Sequence, residues 1–321
     1  MSPIALPVEN SMTATSPMSL TDIGVVIPTF NAADGWIELQ AALDQQGISS
    51  SQVLIIDSSS SDNTAALAKK AGYQLVTIAT EDFRHGGTRQ AARDYLPSAR
   101  ILVYMTQDAV LASRDSIERL CRAFDDPQVG AAFGRQIPRE QADPIERHAR
   151  SFNYSATSDV RTLQSRERLG IKAAFLSNSF AAYRRSAMDE VGGFPTHVIV
   201  AEDSVIAARL LIAGWKIAYK ADAAVIHSHP MTLKQEFARY FDTGVHHARE
   251  HWLLEQFGHA SQEGLKFVIS ELRYLRSNAQ LLIPQALLRT LGKWIAYQLG
   301  RREKHLPIAL KRALTGNPQF W

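Results

Sequence analysis

A chain of 321 residues with 45% hydrophobic and 21% charged side chains has the make-up of a globular protein that buries a substantial core. Its formal net charge of only +3 removes the electrostatic case for a nucleic-acid partner, and no zinc-finger spacing, RNP-type aromatic motif or basic repeat is present. Cys121 is the single cysteine, which excludes an intrachain disulfide and points to a reducing, cytoplasmic setting.

The first twenty residues are rich in Ser, Thr and Pro. They lack the basic start and long apolar stretch of a signal peptide and read as a disordered tail, residues 1–20. No run reaches the roughly 18 apolar residues that a membrane-spanning helix needs, so the chain is expected in the cytosol or on a membrane surface.

From Thr21 onward, short apolar runs alternate with helical patterns. Ile23 to Ile27 is a continuous β-branched run, as expected of a strand buried on both faces of a parallel sheet. A helix follows from about Asp34 to Gln46, then a strand from Val53 to Ile56. Asp62 is placed to cap a helix over Asn63–Ala71 that Gly72 ends. Leu75–Ala79 and Ile101–Met105 read as further strands around a helix near Thr88–Tyr95. This βαβα rhythm predicts an α/β fold built on a doubly wound, mostly parallel sheet. Val129–Phe133, Ser179–Tyr183, Lys216–Tyr219 and Ala223–Ile226 read as strands, with a polar, Arg-rich insertion over 138–169. Beyond Pro230 the pattern is helical. The expected organisation is a nucleotide-binding catalytic domain over 21–230 and a helical C-terminal region over 231–321.

Ligands of open parallel sheets bind outside the carboxyl ends of the strands. Those ends carry Pro28-Thr29-Phe30-Asn31, Asp57-Ser58 through Asp62, and Thr106-Gln107-Asp108: hydroxyls, amides and carboxylates fit for a polar ligand. Each end read alone is equally well a turn or helix cap. No G-x-G-x-x-G follows the first strand and no P-loop occurs, so phosphates would have to be held another way, for which a divalent ion on a strand-end carboxylate suffices.

Ile27-Pro28-Thr29-Phe30-Asn31, Ile56-Asp57-Ser58, Thr106-Gln107-Asp108-Ala109, Gly192-Gly193-Phe194 and Glu202-Asp203 resemble, in order, the landmarks of family 2 inverting glycosyltransferases with the GT-A fold. The chain is more closely similar to bacterial rhamnosyltransferases of surface-polysaccharide assembly. There Phe83-Arg84-His85-Gly86-Gly87-Thr88-Arg89 looks like an F-N-H-G-G-T-R loop, and T-Q-D-A stands for D-x-D. The likeness runs from about residue 23 to 260.

The resemblance implies a sugar nucleotide held by Pro28, Thr29, Phe30, Asp57, Ser58 and Gln107, with the Arg89 fork on the diphosphate. It implies Mn²⁺ or Mg²⁺ on Asp108, with His227 as a second ligand preferred over His229, and imidazole favours Mn²⁺. His85, Glu202 and His229 fall on the acceptor or sugar side. Asp203 is the expected general base: inverting transfer needs a carboxylate to take the acceptor proton, and it opens a helix with Val205, Ile206, Leu210 and Leu211 in period. The block Tyr240–Glu250 also resembles the rhamnosyltransferase subgroup and is expected on the acceptor side.

Leu287, Leu288, Leu291, Trp294, Ile295 and Leu299 predict an amphipathic helix over Gln285–Leu299. From Pro284 onward seven Lys and Arg residues face one acid, Glu303. The apolar stripe either packs on the catalytic domain or another subunit, as in a homo-oligomer, or lies on an anionic membrane. The expected reaction is transfer of L-rhamnose from dTDP-L-rhamnose to a glycan or lipid-linked glycan. A UDP-hexose donor is the nearest rival; a nucleotidyltransferase or a non-catalytic nucleotide-sugar binder are the others.

Overall fold

The computed structural model describes residues 19–258 and 261–321, so the expected tail lies, up to position 18, outside the described residues. Ser19 already belongs to the fold. It caps the turn Leu20–Asp22, its hydroxyl accepting from the Thr21 amide while the Asp22 carboxylate accepts from its own.

Among the described residues nine strands form one sheet: β1 (Ile23–Thr29), β2 (Val53–Asp57), β3 (Gln74–Thr77), β4 (Ile101–Met105), β5 (Val110–Leu111), β6 (Val129–Ile137), β7 (Asp159–Arg161), β8 (Phe180–Arg184) and β9 (Lys216–Ile226). The spatial order is β3-β2-β1-β4-β8-β6-β9-β5, with β7 beside β9. The β3-β2-β1-β4 half is parallel, as the β-branched runs predict. The other half is mixed, with antiparallel strands added to the parallel ones. β8 runs against both β4 and β6, and β5 and β7 run against β9, while β6 and β9 are parallel. The antiparallel β8 matters for function, because its start, at Phe180 opposite Met105, lies at the rim where β4 ends.

Side chains alternate along the central strands. Val26, Leu102 and Tyr104 join one core layer; Val25, Ile27, Val103 and Met105 join the other. The second layer is covered by α1 (Trp36–Asp44), α2 (Thr64–Lys70) and α4 (Ser116–Cys121), through Trp36, Leu39, Ala68, Ile117 and Leu120. The first is covered by α3 (His85–Tyr95), α7 (Arg185–Glu190) and α8 (Glu202–Ile212), through Ala92, Met188, Val205 and Leu210. Two further helices, α5 (Pro144–Asn153) and α6 (Arg166–Leu169), fill the polar insertion. Asp143 caps α5 and Pro144 sits in its first turn, where a missing N–H costs nothing.

Three boundaries differ from expectation for physical reasons. Lys216–Tyr219 and Ala223–Ile226 are one strand, because Lys220 and Asp222 interrupt the apolar run where a register shift displaces β9 against β6. β6 continues four residues past Phe133, through Gly134, whose missing side chain leaves room for the Phe180 ring and the Ala223 carbonyl. α3 begins at His85 rather than near Thr88, so the His-Gly-Gly sequence forms a helical first turn. A Cβ on Gly86 would overlap the Pro195 carbonyl oxygen.

The C-terminal region comprises α9 (Leu233–Arg249), α10 (His251–Phe257), α11 (Ser261–Asn278), α12 (Ile283–Arg301) and α13 (Ile308–Leu314). It docks on the catalytic layer through a cluster of Ile199, Phe241, Val245 and Ala296, with Phe320 and Trp321 against it. α9 and α12 meet backbone to backbone at Gly244 and Gly300. A Cβ on Gly300 would overlap the Phe241 carbonyl oxygen, so Gly300→Ala is expected to destabilise the protein by about 1–3 kcal/mol, read as a lowered urea midpoint.

Candidate active site

The ends of β1, β2 and β4 form a braced rim. Asp57 accepts from the Thr29 hydroxyl at 3.2 Å, the Ser60 amide at 2.9 Å and the Ser60 hydroxyl at 2.5 Å. The Ser60 hydroxyl accepts in turn from the Asn31 amide at 2.8 Å. Ser58 is buried, its amide donating to the Thr29 carbonyl and its carbonyl accepting from Thr80. The Gln107 side-chain amide closes a reciprocal pair with the Phe30 backbone, at 2.7 and 3.1 Å. Asn31 and Ser59 hold left-handed backbone at φ 49° and 57°, strain of the kind that collects at ligand sites. Phe30, with 48% of its surface exposed, is the open apolar face of this rim, next to the half-buried Pro28. The structure therefore brings Pro28, Thr29, Phe30, Asp57, Ser58 and Gln107 together. It leaves Phe30 outward and turns Thr29, Asp57, Ser58 and Gln107 into braces.

Beside it, Asp108, His227 and His229 offer ligand atoms all within 4.8 Å of one another, the one such group of potential metal ligands among the described residues. Asp108 lies 3.3 Å from His227 Nε2 and 2.5 Å from His229 Nε2. Burial works against the Asp108 charge, yet hydrogen bonds from both imidazoles outweigh it and hold the carboxyl far below the usual range. His229 thus stands with Asp108, a correction to its expected place on the acceptor side, and no choice between the histidines is required.

The tautomer of His227 is fixed from behind. Gln136 Oε1 accepts from Arg150 at 2.7 Å, and arginine can only donate, so that oxygen is an acceptor for the His227 Nδ1–H at 2.9 Å as well. His227 Nε2 faces Asp108; in the neutral ring, with the proton kept on Nδ1, its lone pair is available to a cation that would take the place of the Asp108 hydrogen bond. An imidazole whose other nitrogen is held by a hydrogen bond is the usual support of a metal ligand. One carboxylate and two imidazoles, one with its tautomer set, fit a divalent cation.

The expected base, Asp203, lies on the same rim. Gln136 Nε2 donates to the Ser177 hydroxyl at 3.0 Å, and the next amide, that of Asn178, donates to Asp203 Oδ2 at 3.2 Å. Asp108, His227, Gln136, Ser177–Asn178 and Asp203 are thus linked in one chain of contacts. Asp203 sits in the first turn of α8, after Ala201 in left-handed backbone, φ 61°. Its Oδ1 accepts from the Ser204 amide at 2.8 Å.

Asp203 and its neighbour Glu202 are driven apart electrostatically. Surrounding protein, and then the Glu202 charge, push the half-buried Asp203 carboxyl up to about 7. Glu202 is buried, which alone would favour its neutral form. The Arg89 guanidinium at 3.0 Å and the Asn178 amide at 2.9 Å instead hold it below the ordinary value. Two carboxylates with opposed environments are the arrangement that assigns one to charge and the other to proton transfer.

Two expected roles are corrected by this pairing. Arg89 is 5% exposed, bonded to Glu202 and to the His85 carbonyl, and does not open to a phosphate. Glu202, also 5% exposed, is enclosed by Arg89 and Asn178 and does not open to a sugar. His85 is half-buried at the start of α3, beside Asn317 of the C-terminal segment, and burial lowers its pKa. Of the Tyr240–Glu250 block, Asp242 is buried and latches the C-terminal segment, accepting from Gly316 at 3.0 Å and Asn317 at 2.9 Å.

Sequence reasoning missed Gln136, Arg150, Ser177 and Asn178. The polar triplet Ser177-Asn178-Ser179 entering an apolar strand was the one available signal; Gln136 and Arg150 had none. Arg150, from the polar insertion, feels the Asp108 charge and the neighbouring Arg239, and so places cationic character beside the candidate metal centre.

Residues 101–241 match the glycosyl transferase family group 2. The chain is 45% identical to the O-antigen chain rhamnosyltransferase RfbN of Salmonella typhimurium, over 93% of this chain and 96% of that protein. It is 43% identical to the O-antigen chain rhamnosyltransferase WbaN of Salmonella anatum, over 92% and 95%. Among solved structures, a mannosyltransferase from Pyrobaculum calidifontis in complex with GDP-Man and Mn²⁺ superposes with a TM-score of 0.61 at 19% identity, covering 88% of each chain. That similarity shows the fold.

Proposed function

The chain belongs to the family 2 glycosyltransferases, and on that premise we propose that it transfers L-rhamnose from dTDP-L-rhamnose to a hydroxyl of an O-antigen-type, lipid-linked glycan, with inversion, at the cytosolic face of a membrane. The observation that carries the reading is the continuous link from the Asp108–His227–His229 group through Gln136 and Ser177–Asn178 to Asp203. It supports a reading in which a cation site for the leaving diphosphate and a proton acceptor share one rim. The donor sugar and acceptor class follow the two Salmonella relatives, each matched over nearly its whole length.

In this reaction the acceptor oxygen attacks the anomeric carbon as its proton passes to Asp203. The bond from that carbon to the diphosphate oxygen breaks, and the diphosphate leaves with the electron pair. Asp108, His227 and His229 would hold a divalent ion, Mn²⁺ fitting imidazole better than Mg²⁺; when bound, such an ion neutralises charge on the departing phosphates. Arg150 adds a cation on the same side, Phe30 offers a stacking face to the base, and the Gln107–Phe30 pair keeps that face in position.

Thermal shift against dTDP, UDP and GDP, each with and without Mn²⁺, tests the assignment. The expected result is stabilisation by dTDP, largest with Mn²⁺ and weakened in Arg150→Ala. A larger response to UDP would move the donor to a UDP-hexose. Silence towards all three nucleotides would remove the proposal.

A further inference from the structure

α12 is turned inside out relative to an ordinary packed helix. Its small residues Ala286, Ala296 and Gly300 are buried, and Gly300 meets α9 at Gly244. Its large apolar residues face outward: Leu287 is 48% exposed, Leu288 57%, Leu291 53%, Trp294 61% and Ile295 39%, with Leu281 just ahead of the helix at 95%. These positions recur every three or four residues, so they form one stripe along the helix. Small residues inward let the two backbones approach closely, and that packing leaves the stripe uncovered from Leu287 to Ile295, while Leu299 packs beside Phe241 and Val245. The reading in which the stripe packs on the catalytic domain is thereby corrected for Leu287 to Ile295 and holds only for Leu299.

The charges around the stripe are sorted. Arg289 and Lys293, on the flank of α12, are both spent on Glu236, and Lys311 is spent on the buried Glu303, the only acid from residue 279 onward. Arg301, Arg302 and Lys304, at the C-terminal end of the stripe, are exposed and have no carboxylate within ion-pair distance among the described residues. Beyond them α13 exposes Ile308 and Leu310. No described helix is long and apolar enough to cross a membrane. An apolar face continued by unpaired cations, with no exposed acid along it, is complementary to a surface with a hydrocarbon interior and anionic headgroups. A second copy of this chain would bring the same cations against each other or against neutral leucines.

We propose that the α12–α13 face is a monotopic docking surface for an anionic lipid bilayer, with Trp294 and its neighbouring leucines entering the headgroup boundary and Arg301, Arg302 and Lys304 meeting lipid phosphates. The proposal concerns a surface apart from the transfer site, so its failure would leave the reaction assigned above untouched.

Flotation of the full-length protein with vesicles of phosphatidylethanolamine and phosphatidylglycerol, and with phosphatidylcholine alone, tests it. The expected result is binding to the anionic vesicles and little to the neutral ones. Binding should fall about tenfold or more in Arg301→Glu/Arg302→Glu, and be lost in Leu288→Glu/Trp294→Glu. All six apolar positions are exposed, so these variants should melt as the wild type does and keep their Mn²⁺-dependent response to nucleotide. Wild-type protein that ignores anionic vesicles overturns the proposal, as does binding that survives both double substitutions. A stable dimer that dissociates in Leu288→Glu/Trp294→Glu, with no lipid binding in any variant, would assign the face to a second copy instead.

Discussion

Asp203→Asn should lower transfer by about 10²–10⁴-fold while nucleotide and Mn²⁺ still stabilise the protein as they do the wild type. The amide keeps the size of the carboxylate but cannot accept the acceptor proton, so the loss belongs in the chemical step rather than in binding. The wild-type pH profile follows from the same site. Crowding by protein and the Glu202 charge hold Asp203 protonated up to about 7, and only its ionised form can serve as base. Activity should therefore rise with pH through about 7 and level off above it. Asp203→Asn with wild-type turnover, or a wild-type profile flat from pH 5.5 to 8.5, would take Asp203 out of the mechanism.

The second large effect is expected at the metal centre. Asp108→Ala removes the carboxylate between the two imidazoles and should abolish the Mn²⁺-dependent part of nucleotide binding. Gln136→Leu tests the layer behind it. That residue fixes the His227 tautomer and touches neither metal nor sugar, so metal affinity should fall by about 10–100-fold, with activity recovering at high Mn²⁺. A Gln136→Leu enzyme with unchanged metal affinity would show that the hydrogen bond at Nδ1 does no positioning.

The elements that sequence located well are those with uninterrupted physical signals. β1, β2 and β4 are buried on both faces, and their β-branched runs mark them almost to the residue. β9 was divided because the polar Lys220 and Asp222 fall at a register shift, where periodicity breaks while pairing continues. The direction of β8 was not legible, since a short buried strand reads alike in either sense. Within the site, Asp108, Asp203, His227 and His229 stood out as chemically capable side chains at element ends. Arg89 was misread because the same fork that suits phosphate also suits a buried carboxylate, and the partner, Glu202, comes from a helix more than one hundred residues away. Gln136 and Asn178 act through single hydrogen bonds set by tertiary placement, which no spacing announces.

The Arg89–Glu202 contact has a consequence for how the enzyme sets its working pH. With the guanidinium in place, Glu202 is held in its anionic form, and its field adds to burial in making the adjacent carboxyl slow to give up hydrogen. Take the guanidinium away and the two acids would have to share one proton between them, as any pair of close like charges does. The acidity of the proposed base is thus tuned, beyond the effect of burial, by an arginine enclosed within the protein.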